Sequence, residues 1–271
     1  MPLYNSGDIK IYYEEHGTGE PLIFLHGFTL DHRVWEPQVR FFSASYHVIV
    51  VDSRGHGKSD APPTGYGRDF RVEDLLVLFE VLKLKKAHLV GLSMGGSTAI
   101  GFAQKHQALL KSLTLVSTGA AGYSPGRKVA RIDELAKSEG VDAARRQWLE
   151  WNMMYYKEKH QDVGQLLKKM IMEHSGAIWA DTRRGQYPKT DDLESVHKIS
   201  VPTLIVAGEK DKIFVPLSKE LHKRIKGSKL LIFEKTGHIL NLEYPQKFNK
   251  ELDQFLQDTI SRKSHTSTGS V

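Results

Sequence analysis

One serine in this chain is set between glycines, in Gly91-Leu92-Ser93-Met94-Gly95-Gly96. The apolar run Ala87-His88-Leu89-Val90 precedes it, and the small-residue stretch Gly96-Ser97-Thr98-Ala99-Ile100-Gly101 follows. A strand that turns sharply into a helix around one serine is a nucleophile elbow, which lifts the hydroxyl to the carboxyl edge of a sheet. Such a serine needs a base to take its proton, an acid to orient that base, and donors for the oxyanion that its attack creates.

Position chooses the base among thirteen histidines. His238 follows the apolar run 230–233 in Phe233-Glu234-Lys235-Thr236-Gly237-His238, where a loop leaves the carboxyl end of a strand. The acid comes from Gly208-Glu209-Lys210-Asp211, after the run 203–207; Asp211 is the first choice and Glu209 the alternative. The order serine, aspartate, histidine is the one expected of an elbow serine. The backbone N–H of Met94 and that of Phe28, in His26-Gly27-Phe28 after the run 22–25, are the candidate oxyanion donors. The Phe28 ring then lines the pocket, Gly27 lets the chain turn tightly, and His26 braces the loop rather than serving as a base. These roles imply nucleophilic attack by Ser93 on a carbonyl, through a tetrahedral oxyanion.

The elements that hold these residues follow from hydrophobic patterning. Residues 9–14 read as a strand. Unbroken apolar runs at 22–25, 48–51, 87–90, 113–116, 203–207 and 230–233 suit strands buried on both faces. Helical spacing at Val72, Leu75, Leu76, Phe79 and Leu82, with Asp69 as the candidate N-cap, and further helices over 97–107, 218–225 and 246–260 fill the gaps. The expectation is an α/β fold: a mostly parallel sheet of about eight strands covered by helices on both faces, its two initial strands adding antiparallel edges. Residues 119–197 break the alternation, with helices over 126–137, 141–159 and 162–175, and read as a helical lid inserted between core segments 1–118 and 198–262. Trp148, Trp151, Met153 and Met154 in that insertion are candidate pocket residues beside Phe28. The polar end, 263–271, is expected to be disordered.

Composition bounds the alternatives. A chain of 271 residues with 40% hydrophobic and 26% charged residues can bury a full core without staples. With no cysteine, it has no disulfide framework, zinc–thiolate site or cysteine nucleophile. The net charge of +6 is scattered, densest at Lys83-Leu84-Lys85-Lys86, without the aromatic interleaving of a nucleic-acid surface. No run approaches the roughly 20 apolar residues of a membrane helix, and the start shows no secretory signal. The expected setting is cytoplasmic, as a monomer or homodimer acting on a small molecule, with no nucleic-acid or membrane partner.

The chain resembles the α/β-hydrolase fold superfamily. The resemblance rests on His26-Gly27-Phe28, Asp52-Ser53-Arg54-Gly55-His56-Gly57-Lys58-Ser59, Gly91-Leu92-Ser93-Met94-Gly95-Gly96, Gly208-Glu209-Lys210-Asp211 and Gly237-His238, and covers about residues 1 to 260. Asp52 and Arg54 read as shaping a turn rather than as catalytic. Within the superfamily the chain is similar to small lid-bearing carboxylesterases and 3-oxoadipate enol-lactonases. Carbon–carbon bond hydrolases of ring-cleavage diketones and cofactor-free haloperoxidases or perhydrolases share that group and remain alternatives. Dehalogenases and epoxide hydrolases carry an aspartate where Ser93 stands and are disfavoured. The resemblance implies no metal and no organic cofactor. The non-enzyme alternative is a small-ligand receptor or scaffold on the same fold.

Overall fold

A computed structural model describes residues 2–123, 127–153, 156, 159–183, 186–187 and 191–266. Eight strands form one sheet: β1 (Leu3–Ser6), β2 (Ile9–His16), β3 (Glu20–Leu25), β4 (Tyr46–Val51), β5 (Ala87–Leu92), β6 (Leu110–Val116), β7 (Thr203–Gly208) and β8 (Lys229–Phe233). Their spatial order is β1-β2-β4-β3-β5-β6-β7-β8. The β1–β2 and β2–β4 pairs are antiparallel and all later pairs are parallel. The antiparallel edge is thus β1 and β2. The apolar runs from 22–25 onward are the parallel strands, and Leu3–Ser6 is an edge strand that patterning did not mark.

Alternation along each strand explains the unbroken runs. Ile23, Leu25, Ile49, Val51, Leu89 and Ile205 face one buried cluster. Leu22, Phe24, Val48, Val50, Val90 and Val206 face another. Helices α1 (Glu36–Phe42), α2 (Arg68–Val81) and α3 (Met94–His106) come before the insertion. The first cluster lies against α2 and α3, through Val72, Leu75, Phe79, Ile100 and Phe102, and the second takes Phe42 of α1. The N-cap of α2 is Gly67, not Asp69, which lies in the first turn and pairs with Lys105 at 2.9 Å. The helix therefore begins a turn earlier than its apolar stripe.

Between β6 and β7 the described residues form no strand; the segment holds α4 (Arg127–Glu139), α5 (Val141–Met153), α6 (Gln161–Glu173), α7 (Ala177–Ala180) and α8 (Asp192–Ser195), with a 3-10 turn at Val196–Lys198. Ile132, Ala144, Ile178 and Trp179 make a third cluster, against which Phe28, Trp148 and Trp151 pack. Asp192 ties the segment back to the core: it pairs with Arg68 and accepts Ala121 N–H at 2.6 Å. The last helices are α9 (Phe214–Arg224), α10 (Leu240–Glu243) and α11 (Pro245–Thr266). Helix α11 continues into the segment expected to be disordered, and 267–271 lie outside the described residues.

Candidate active site

Parallel strands end at the same edge, so the loops after β3, β5, β7 and β8 all emerge there. Leu25 pairs with Gly91 and Leu92 with Val116, Val116 pairs with Val206, and Gly208 with Phe233. Ser93, Asp211 and His238 each follow one of these ends.

Ser93 is half-buried and sits at φ 55°, ψ −110°, a left-handed conformation costing about 1–3 kcal/mol that the surroundings must hold. Its N–H donates to Val116 at 2.9 Å, and its carbonyl accepts Ser97 N–H and Gly119 N–H, each at 3.0 Å. Gly95 permits the crossing, since a Cβ there would stand 2.4 Å from the Leu25 carbonyl oxygen and 2.6 Å from that of His26. The same closeness brings the β3 loop against the serine: a Cβ on Gly27 would lie 3.4 Å from Ser93 Cβ.

His238 Nδ1 donates to Asp211 Oδ2 at 2.6 Å. Asp211 Oδ1 accepts Phe214 N–H at 3.3 Å, and the Asp211 side chain is only 6% exposed. Gly208 lets the two loops meet, because a Cβ on it would fall 2.0 Å from the Gly237 carbonyl oxygen. Glu209 faces solvent instead. Its Oε2 accepts Lys235 N–H at 2.9 Å and lies 3.5 Å from Lys210 Nζ, and these contacts hold its carboxyl below the ordinary value. The histidine is therefore paired with Asp211 and not with Glu209. Nδ1 is thus engaged by Asp211, and Nε2 is the other ring nitrogen of His238. The Ser93 hydroxyl itself bonds to no described residue, and nucleophile–base contacts often tighten only when substrate is bound.

Met94 opens α3, so its N–H is one of the donors that no helical carbonyl can take. The Phe28 N–H belongs to the peptide whose carbonyl is Gly27's. That carbonyl accepts His26 Nδ1–H at 2.7 Å and Leu30 N–H at 3.2 Å. A planar trans peptide points its N–H opposite to its C=O, so these two bonds aim the Phe28 donor. His26 Nε2 accepts Ser53 N–H at 2.9 Å, which leaves this buried ring neutral and fully occupied; burial lowers its pKa. Both bonds fit the bracing role read from the sequence.

The Phe28 ring meets the rings of Trp148, Trp179, His174 and His56 edge-on, with centroids 5.4 to 5.9 Å apart. Phe28, Trp148 and Trp151 are thus brought together. Met154 and the Met153 side chain lie outside the described residues. Asp52 and Arg54 are structural. Asp52 accepts N–H groups from His32 at 2.7 Å and Lys58 at 2.9 Å, while Arg54 forks onto buried Asp74 at 2.7 and 2.6 Å. Asp31, His32 and Asp52 converge closely enough to suggest a metal site. Their oxygens instead accept donors from Arg33, His32 and Lys58. Thr29 and Glu243 also touch the site's loops; both escaped the sequence reading because their partners lie far away along the chain or in another element.

Residues 22–251 match the family described as the alpha/beta hydrolase family. The chain belongs to that family. It is 32% identical over 257 residues to AB hydrolase superfamily protein YisY of Bacillus subtilis, covering 91% of this chain and 95% of that protein. Among solved structures, it is similar to the enol-lactonase of Burkholderia xenovorans LB400, with TM-score 0.84 and 25% identity over 94% of this chain and all of the other. It is also similar to a thermophilic esterase of Thermogutta terrifontis, with TM-score 0.83 and 28% identity over 93% and 94% of the two chains. Among the described residues of this alpha/beta hydrolase, no helix is long and apolar enough to cross a membrane.

Proposed function

We propose that this family member is a serine hydrolase that cleaves a small carboxylic ester or lactone. The observation that carries the reading is the strained elbow serine sharing one sheet edge with a His238 held at 2.6 Å by the buried Asp211. His238 takes the Ser93 proton as the hydroxyl attacks the carbonyl. Asp211 holds the ring by Nδ1 and offsets the charge it gains. The N–H groups of Phe28 and Met94 receive the oxyanion, and His238 then protonates the leaving alcohol. Water, deprotonated by His238, releases the acid and restores Ser93. The aromatic wall of Phe28 and Trp148 favours an apolar acyl group. An enol-lactonase and an esterase among the similar structures support the ester or lactone reading.

The test is turnover of p-nitrophenyl esters and enol-lactones by wild type and Ser93→Ala, together with a fluorophosphonate label. Turnover and labelling that both vanish in Ser93→Ala uphold the reading. Equal rates in the two proteins, or a wild type that neither turns over nor labels, overturn it; binding without either would favour a receptor.

A further inference from the structure

Among the described residues, two side chains of the helical segment between β6 and β7 reach, each through one intermediary, a peptide next to a catalytic group. Trp148 Nε1, on α5, donates to Thr29 Oγ1 at 2.8 Å. The Thr29 hydroxyl in turn donates to the Phe28 carbonyl at 2.6 Å. Thr29 is buried and held at φ 61°, a conformation a β-branched residue rarely adopts. The Phe28 residue is therefore pinned on both sides, by His26 through the Gly27 carbonyl and by Trp148 through Thr29. Beyond the end of α5, the Tyr156 hydroxyl donates to Glu243 Oε1 at 2.9 Å, and Glu243 Oε2 accepts Gly237 N–H at 2.7 Å. The carbonyl of that same peptide, Thr236's, accepts Lys210 N–H at 2.8 Å. The Thr236–Gly237 peptide, one before the peptide of His238, is thus held at both ends, and Glu243 is only 5% exposed.

We infer that Trp148 and Tyr156 are positioning residues: through Thr29 and Glu243 the insertion sets the oxyanion loop and the histidine loop, and so assembles the site as well as roofing it. The inference rests on the serine-hydrolase reading above. Its physical basis is that misplacing a reacting group by about 1 Å costs about a hundredfold in rate, while a substrate held by the pocket wall is bound as before.

Trp148→Phe keeps an aromatic ring beside Phe28 and removes the N–H; Tyr156→Phe removes one hydroxyl. Each is expected to lower kcat about tenfold or more, with KM within about twofold. In Trp148→Phe, the inhibition constant of a trifluoromethyl ketone, which mimics the tetrahedral adduct, rises in the same proportion as kcat falls. Thr29→Val reproduces Trp148→Phe, the Thr29→Val/Trp148→Phe double variant is no slower than either alone, and Thr29→Ser restores what Thr29→Val loses. The Thr29 pair carries the test if Trp148→Phe does not fold. Wild-type kcat in both Trp148→Phe and Tyr156→Phe, or a raised KM with unchanged kcat, overturns the inference and leaves these residues as pocket wall. Fluorophosphonate labelling of wild-type Ser93 is read separately: labelling with unaffected variants rejects the positioning role alone, whereas an unlabelled wild type rejects the hydrolase reading and the inference with it.

Discussion

Asp211→Asn isolates the contribution of one buried charge. The carboxylate accepts His238 Nδ1–H at 2.6 Å and is almost wholly shielded from solvent. When His238 takes the serine proton, a positive ring forms with its charge centre roughly 4 Å from the carboxylate. At an effective dielectric of about 20 that attraction is about 4 kcal/mol, which is about a thousandfold in rate at 1.36 kcal/mol per factor of ten. Asparagine removes the charge and can present an N–H to Nδ1, turning the ring so that Nε2 carries the proton and cannot accept one. A loss of about 10⁴ in kcat matches what this change costs in triads of the same design. The assay is steady-state hydrolysis of a p-nitrophenyl ester, with thermal melting to show the fold intact and Glu209→Gln as the control. Glu209 faces Lys235 and Lys210 rather than His238, so Glu209→Gln keeps wild-type turnover. A folded Asp211→Asn within tenfold of wild type, or a Glu209→Gln that loses activity, would refute the assignment of the acid.

Other expectations follow from the same geometry. Gly95→Ala drives a methyl to 2.4 Å from a backbone oxygen that cannot yield without moving β3, so it costs about 3 kcal/mol and abolishes turnover, as melting and ester assays would show. Asp74→Asn leaves Arg54 buried without its counter-charge, a loss of about 3–5 kcal/mol that lowers Tm by roughly 10 °C, while turnover of the folded protein is unchanged. Acid should destabilise the fold through its buried neutral histidines. Burial pushes His26 below its ordinary value, pushes His56 well below it, and takes His174 from 6.5 to about 3. The unfolded chain then binds more protons, so stability is whole above about pH 6.5 and falls on acidification; for His174 alone the loss is about 1.4 kcal/mol per pH unit down to about pH 3. His32 acts in the opposite sense: burial opposes its charge, but Asp52 raises it overall, so its contribution is present at low pH and lost as pH rises. Three histidines against one predict a Tm that falls on acidification, less steeply in His174→Asn; a flat profile would count against the buried-histidine account.

How far this chain could be read from its letters depended on the distance over which each feature is decided. Six of the eight strands announce themselves by unbroken apolar runs and Ile9–His16 by partial alternation, each a matter of near neighbours. The elbow is equally local: Gly91, Ser93 and Gly95 are spaced for one turn, and the turn itself strains the serine. His238 was legible because a parallel sheet delivers every strand end to one edge. The edge strand Leu3–Ser6 was not, since half of its residues face solvent and it carries no long apolar run.

The choice between Asp211 and Glu209 lay beyond local pattern. Both follow β7 within three residues, and only the fold turns one toward His238 and the other to solvent. Thr29 and Trp148 are 119 positions apart, and Tyr156 and Glu243 are 87 apart. Nothing in either neighbourhood encodes such pairs, because a hydrogen bond between distant residues exists only after the sheet and the helices above it have packed. Sequence alone thus determined every strand but the first and singled out the serine and the histidine as candidates. The tertiary structure decided which acid the histidine holds and which side chains hold the loops, because those are contacts between distant segments rather than properties of any one of them.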